Sequence, residues 1–246
     1  MSTLFISDLH LCNVRPDKIE LFKRLLRGPA RNAEALYILG DLFEAWAGDD
    51  DRTSPHPEVI DELANYSRSG CKLFFMRGNR DFLIGRLFAE NTGSTLLPDP
   101  VTIDLYGTST LLMHGDKLCT RDIKYQVYRR LVNNRFSIRL FLMVPYGLRE
   151  KIWHGIRKVT SSTTARKSPD IVDVHQPAVE NIMRKSGVRH LIHGHTHKQG
   201  VHEFSLDGKT VKRLVLGDWY VDDSVLVADA DSLKLMRVEE YLNISD

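Results

Sequence analysis

Five short apolar runs in this chain each stop at residues able to bind a cation, and that recurrence limits the possible fold more than any other feature. Leu4-Phe5-Ile6 leads into Ser7-Asp8-Leu9-His10, and Ala35-Leu36-Tyr37-Ile38-Leu39 leads into Gly40-Asp41. Lys72-Leu73-Phe74-Phe75-Met76 precedes Gly78-Asn79-Arg80, Leu111-Leu112-Met113 precedes His114, and Leu191-Ile192 precedes His193-Gly194-His195-Thr196-His197. Strand ends are rigid mounts, and ligand sites of α/β sheets gather at the carboxyl ends of strands. The candidate ligands are therefore Asp8, His10, Asp41, Asn79, His114, His195 and His197. Seven O/N ligands exceed what one tetrahedral ion takes. They suit two ions sharing a carboxylate, about 3.5–4 Å apart, clamping a phosphoryl group. A lone Asp or His at a strand end is ordinarily a turn former; the ordered set is what carries the reading.

Between the runs the pattern turns helical. Ile19, Phe22, Leu25 and Leu26 share one face over Asp17–Arg27, and a second helix is expected over Glu58–Arg68. Alternating strand and helix argues for an α/β fold. The second half is richer in hairpins, with Tyr106-Gly107-Thr108-Ser109 between Val101–Leu105 and Thr110–Met113. Asp207-Gly208 lies between Val201–Leu206 and Val211–Leu216. Further strands are expected at Val225–Ala228 and Leu233–Val238. We therefore expect two packed sheets with helices outside.

The chain is 246 residues long, enough for one α/β domain with an insertion. Its net charge of +2 conceals an asymmetry. The window Arg121–Lys167 holds twelve Lys or Arg against two acids, Asp122 and Glu150, so it carries +10 and the remainder −8. This window reads helical over Ile123–Val132, apolar over Ile138–Val144, broken at Pro145-Tyr146-Gly147 and helical again over Glu150–Val159. We divide the chain into a core, 1–122 and 168–246, and a basic, apolar helical insertion, 123–167. Cys12, Cys71 and Cys119 are far apart, which fits no disulfide framework and points to a reducing, cytosolic setting. No apolar run approaches the roughly 18 residues of a membrane span.

The ordered motifs Asp-x-His, Gly-Asp, Gly-Asn, His-Gly-Asp and Gly-His-x-His resemble those of the calcineurin-like metallophosphoesterase superfamily over nearly the whole chain. The resemblance implies a two-sheet β sandwich flanked by helices. It places Asp8, His10, Asp41 and His197 on one metal, and Asp41, Asn79, His114 and His195 on the other, with Asp41 bridging. An O/N ligand set without cysteine suits a hard to borderline ion such as Mn²⁺, with Fe, Zn and Co also compatible.

Many superfamily members carry His after the Gly-Asn, where this chain has Arg80. Arginine cannot act as a general acid at neutral pH, but its planar fork holds phosphate oxygens. A pyrophosphate leaves as a stabilised anion and needs no proton, so Arg80 favours a phosphoanhydride substrate. The structural alternative is an arginine paired with Asp81.

The insertion interleaves its cations with Tyr125, Tyr128, Phe136, Leu140, Phe141, Leu142, Met143, Tyr146 and Trp153. Anionic lipid, nucleic acid and a solvated helical face are its three competing uses, and no groove-reading motif supports nucleic acid. The blocks Gly40–Asp50, Gly78-Asn79-Arg80-Asp81-Phe82-Leu83-Ile84-Gly85 and His114–Thr120 narrow the resemblance to the family of UDP-2,3-diacylglucosamine hydrolases. That family implies two Mn²⁺ ions and attack on the α-phosphorus of a UDP-linked diacylated glucosamine, giving UMP and the lipid 1-phosphate. It also implies peripheral association with the cytoplasmic face of the inner membrane. It places Arg80, Asp41, Asn79 and His195 at the reaction centre, and substrate contacts at Asn79, Arg80, Asp122, Thr160, Thr164, Lys167 and His195. Thr160 stands where the family is expected to carry Ser. A broad phosphodiesterase and a non-catalytic scaffold on the same fold are the alternatives.

Overall fold

The computed structural model describes residues 2–164, 171 and 173–245. Among the described residues, eleven strands form two mixed sheets. The first has the order β11-β10-β1-β2-β3-β4, built from β1 (Thr3–Ile6), β2 (Ala35–Leu39), β3 (Lys72–Met76), β4 (Thr95–Leu97), β10 (Ser224–Ala228) and β11 (Leu233–Arg237). β1 to β4 are parallel, and β10 and β11 close one edge antiparallel. The second sheet has the order β5-β6-β7-β9-β8. It comprises β5 (Val101–Leu105), β6 (Thr108–Met113), β7 (His190–His193), β8 (Gly200–Leu206) and β9 (Lys209–Val215). Here β6, β7 and β9 run parallel.

The period of two along a strand sorts the core into layers. Phe5, Leu39, Met76, Leu112, Ile192 and Leu214 fill the space between the sheets. Leu4 and Ile6, which alternate with Phe5, pack outward with Phe22 and Leu25 of helix α1 (Pro16–Arg27) and Leu63 of helix α2 (His56–Arg68). On the far face, Leu111, Met113 and Leu191 meet Val179 and Met183 of a helix over Gln176–Ser186. That layering is the sandwich expected from the alternating runs.

Several boundaries differ from the sequence reading. The β5–β6 turn is two residues, Tyr106-Gly107, both at positive φ (52° and 82°), so β6 starts at Thr108. The expected Leu233–Val238 strand stops at Arg237, where a helix over Val238–Ser245 begins. The short helix α3 (Arg86–Thr92) and the three-residue β4 had no counterpart in the sequence reading. After α3, the helices of the basic window are α4 (Ile123–Val132), α5 (Arg135–Leu142) and α6 (Tyr146–Thr164). The expected break is displaced by a residue or two: Pro145 ends the preceding segment, and the helix resumes directly after it because proline tolerates the start of a helix. The helix Gln176–Ser186 is hereafter α7 and Val238–Ser245 is α8.

Candidate metal centre

Pairing between the loops continues past the strand ends and fixes where the first ligands sit. Asp8 N–H donates to Gly40 C=O at 3.0 Å, His10 N–H to Asp41 C=O at 3.0 Å, and Leu11 N–H to Leu42 C=O at 2.9 Å. Eight described non-glycine residues have φ in the left-handed region, and five of them are candidate ligands: Asp8 (55°), His10 (52°), Asp41 (54°), His195 (71°) and His197 (58°). Such conformations cost about 1–3 kcal/mol each and persist where the surroundings over-determine them. Here the surroundings include backbone packed against side chain. A Cβ on Gly194 would collide with Ser7 Oγ and Asp8 Oδ2, and one on Gly78 with Asp41 Oδ1.

The side chains converge in two groups, Asp8 with His10 and His197, and Asp8 with Asp41 and His114; within each, one donor atom per residue lies within 4.8 Å of the others. His10 Nε2 is 3.3 Å from His197 Nε2, and Asp8 Oδ1 is 3.4 Å from His197 Nε2. His114 Nε2 is 3.8 Å from Asp41 Oδ2 and 3.0 Å from Asn79 Oδ1. His195 joins through its backbone N–H, which donates to Asp8 Oδ2 at 2.8 Å, and its ring lies 5.1 Å from that of His114. All seven candidate ligands therefore meet at one end of the sandwich. Asp8 is common to both groups, whereas the family resemblance assigned the shared position to Asp41.

The donor set fits divalent cations. Asp8 Oδ1 is buried with no hydrogen-bond donor. Burial opposes charge on His114, yet Asp41, Asp8 and Asp116 lift its pKa to about 9. His197 is lifted against burial to about 10 by Asp218 and Asp8. The cluster thus draws positive charge to itself, and a metal ion satisfies the same field. His195, by contrast, is pushed down to about 4 by burial and by His114, which leaves it neutral with a lone pair to give. The other ring nitrogens are anchored: His114 Nδ1 lies 2.9 Å from Leu39 C=O and His197 Nδ1 2.8 Å from Asp218, so each Nε2 faces the centre.

Arg80 stands at the rim. Its backbone N–H donates to Asp41 Oδ1 at 2.7 Å, its Nε lies 3.6 Å from Asp41 Oδ2, and its Nη1 pairs with Glu44. The alternative pairing with Asp81 does not occur, because Asp81 is fully buried and accepts from the N–H groups of Gly78 and Leu42. Asp122 caps α4 by accepting from Tyr125 N–H at 3.1 Å. Lys167 and the side chains of Thr160 and Thr164 lie outside the described residues.

The sequence reading overlooked the groups behind the ligands. Glu44 reaches Arg80 and lies 3.5 Å from His10 Nδ1, and Asp218 orients His197. Gly217-Asp218 repeats, after β9, the strand–Gly–Asp pattern of Gly40-Asp41, and that was the available signal. Beside the centre, an apolar cavity of about 240 Å³ is lined by Phe82 and Leu83 of the core and by Tyr128, Phe141, Trp153 and Ile156 of α4 to α6.

Comparison with known proteins extends this picture. The calcineurin-like phosphoesterase family profile matches residues 1–199. A UDP-2,3-diacylglucosamine hydrolase of Aeromonas hydrophila is 48% identical over 227 residues, covering 92% of this chain and 94% of its own. Its counterpart from Pseudomonas aeruginosa is 47% identical over 231 residues, covering 94% and 96%. Among solved structures, an archaeal phosphodiesterase aligns over 96% of this chain and 99% of its own, with a TM-score of 0.49 and 15% identity.

Proposed function

This chain belongs to the calcineurin-like phosphoesterase family, and from that premise we propose that it hydrolyses the pyrophosphate bond of UDP-2,3-diacylglucosamine in lipid A biosynthesis. Attack falls on the α-phosphorus and yields UMP and 2,3-diacylglucosamine 1-phosphate. The observation that carries the reading is one loop. Within five residues it supplies Asn79 beside His114, Arg80 beside Asp41, and Phe82 and Leu83 in the wall of the apolar cavity. Phosphate chemistry and acyl-chain binding are joined there within a stretch of five residues, which suits a substrate that is a nucleotide at one end and a lipid at the other.

Asp8, His10, Asp41 and His197 would hold one divalent ion, and Asp41, Asn79, His114 and His195 the second, with Mn²⁺ the ion proposed. Such ions, when bound, supply electrophilic charge at the phosphoryl oxygens and acidify the attacking water. Around them the protein's part is positional. The Leu39 carbonyl and Asp218 fix the rings of His114 and His197. Glu44 holds the Arg80 guanidinium toward Asp41, where its fork binds phosphoryl oxygens and offsets charge developing in the transition state. No proton donor is required, since the lipid phosphate departs as a stable anion. Asn79, Arg80, Asp122, Thr160, Thr164, Lys167 and His195 are the proposed substrate contacts.

The acyl chains enter the cavity between core and insertion, each buried methylene contributing about 0.8 kcal/mol. Outside it, α4 exposes Ile123, Val127 and Leu131 at helical spacing, and α5 exposes Phe136 and Leu140, with Met143 exposed just past its end. Lys124, Arg130, Arg135 and Arg139 are exposed alongside, each contributing about 1 kcal/mol near an anionic surface. No described helix is long and apolar enough to cross a membrane. We therefore place the protein peripherally, at the cytoplasmic face of the inner membrane where its lipid substrate resides. UMP release from UDP-2,3-diacylglucosamine in detergent micelles, with chelator and after Mn²⁺ is restored, tests the reading. Metal-dependent cleavage confined to the lipid substrate is expected. Equal cleavage of a UDP-sugar without acyl chains, or of an artificial phosphodiester, would reduce it to a general phosphodiesterase.

A further inference from the structure

Among the described side chains of residues 123–164, two are buried, Arg149 and Trp153, and both lie in the first half of α6. α4 and α5 bury none. Arg149 is 2% exposed; its Nη1 donates to Ala47 C=O at 2.8 Å and its Nη2 pairs with Asp50. One turn earlier, the Tyr146 hydroxyl donates to Asp51 Oδ1 at 2.8 Å and lies 2.7 Å from Thr53 Oγ1. The guanidinium also sits 5.7 Å from the Tyr146 ring centroid. Positions 146, 149 and 153 share one helical face. The receiving loop is shaped for the arginine: Gly48 has φ +135°, and a Cβ there would collide with Arg149 Nη1. The loop is itself held, because Asp49 accepts from Gly85 N–H at 2.8 Å and Phe88 N–H at 3.1 Å.

The same face carries Trp153, which packs edge-on against Phe82 with centroids 5.2 Å apart. Trp153 lines the 240 Å³ apolar cavity and also a second cavity of about 150 Å³ that reaches Leu11 and Glu44 at the metal centre. It is the partition between them, and its position depends on how α6 is seated. Arg149 is buried but the Asp50 side chain is 56% exposed, so the pair adds little net stability, and what it supplies is the register of α6 on the loop.

We infer that Arg149, with Tyr146, is a positioning residue for substrate selectivity: by latching α6 onto Asp50 and Asp51 it sets the Trp153 partition, and with it the fit of the acyl chains. The inference rests on the reading of the cavity as the acyl-chain site. Arg149→Met, Arg149→Lys, Tyr146→Phe and Asp50→Asn are compared with the wild type on UDP-2,3-diacylglucosamine and on an artificial phosphodiester. Arg149→Met is expected to raise the lipid KM by about tenfold, with kcat and the diester kcat/KM held within about twofold. Arg149→Lys should fall between, since lysine keeps the charge and loses the fork. Amide exchange should accelerate in Arg135–Trp153 and stay unchanged in Gly78–Gly85. Equal loss on both substrates, or no change in lipid KM, overturns the latch. Asp50→Asn and Tyr146→Phe carry the same expectation in weaker form, should Arg149→Met fail to fold. If the wild type leaves the lipid uncleaved, the functional reading fails on its own, and unchanged exchange in α5 and α6 of the variants then overturns the latch separately.

Discussion

The Asp81 carboxylate accepts the backbone N–H of Leu42 at 2.8 Å across 39 residues of chain, and its other oxygen accepts that of Gly78 at 2.7 Å. It thereby ties the loop that carries Asp41 to the loop that carries Asn79 and Arg80. Burial and the neighbouring Asp41 raise its pKa to about 7, and the two amide donors oppose that shift.

Asp81→Asn is predicted to lower stability by about 1–3 kcal/mol, because one buried N–H would then face an amide NH₂ instead of an acceptor. Denaturant unfolding measures this. Metal affinity should fall with it, since both ligand loops lose their strut. Unchanged unfolding and unchanged metal binding would show that Asp81 does not position the loops.

Asp41→Ala removes a fully enclosed carboxylate that converges with Asp8 and His114. We predict a loss of activity of at least about a hundredfold even with metal in excess. Isothermal titration with Mn²⁺ should show fewer or weaker sites than in the wild type. A variant with wild-type rate and stoichiometry contradicts the two-ion reading.

Arg80→Lys preserves charge but not the planar fork, and kcat/KM should drop about a hundredfold. Higher pH should not rescue the change, because lysine is already charged at neutral pH and what is lost is the planar fork. A KM rise with intact kcat would instead make Arg80 a ground-state contact.

The legibility of this protein in its sequence follows the range of the forces involved. Strand ends such as Ile6-Ser7-Asp8 and Leu39-Gly40-Asp41 are local patterns, and they predicted both the sheets and the residues that converge. The Asp207-Gly208 hairpin was visible for the same reason. Helix α3 was not, because its first turn is capped by Asp49, 36 residues upstream of Gly85, and its own sequence carries no start signal. Glu44 and Asp218 escaped notice because their work, orienting Arg80 and His197, exists only once the loops have met. The strand at Leu233 pairs one residue past its end, Val238 N–H donating to the Asp223 carbonyl at 2.8 Å, before the helix begins, and no local turn residue marks that point.

Asp51 gives a pH prediction away from the metal ligands. Burial pushes its carboxyl up, but His56, the Thr53 N–H and the Tyr146 hydroxyl outweigh that and hold it well below the ordinary range. A lowered folded pKa stabilises fully above the unfolded value of about 3.9, and the contribution is lost as pH falls through the folded value. Thermal unfolding should therefore separate wild type from Asp51→Asn most at neutral pH, by about 2–4 °C for each kcal/mol lost, and the gap should narrow below about pH 4. A gap that stays constant with pH contradicts the ionised pairing.

Hydrolysis in oxygen-18 water shows which phosphorus of the lipid-linked pyrophosphate is attacked. With Mn²⁺ present, attack at the α-phosphorus should leave one labelled oxygen in the UMP and none in the 2,3-diacylglucosamine 1-phosphate. Label in the lipid phosphate, or release of UDP in place of UMP, would contradict it.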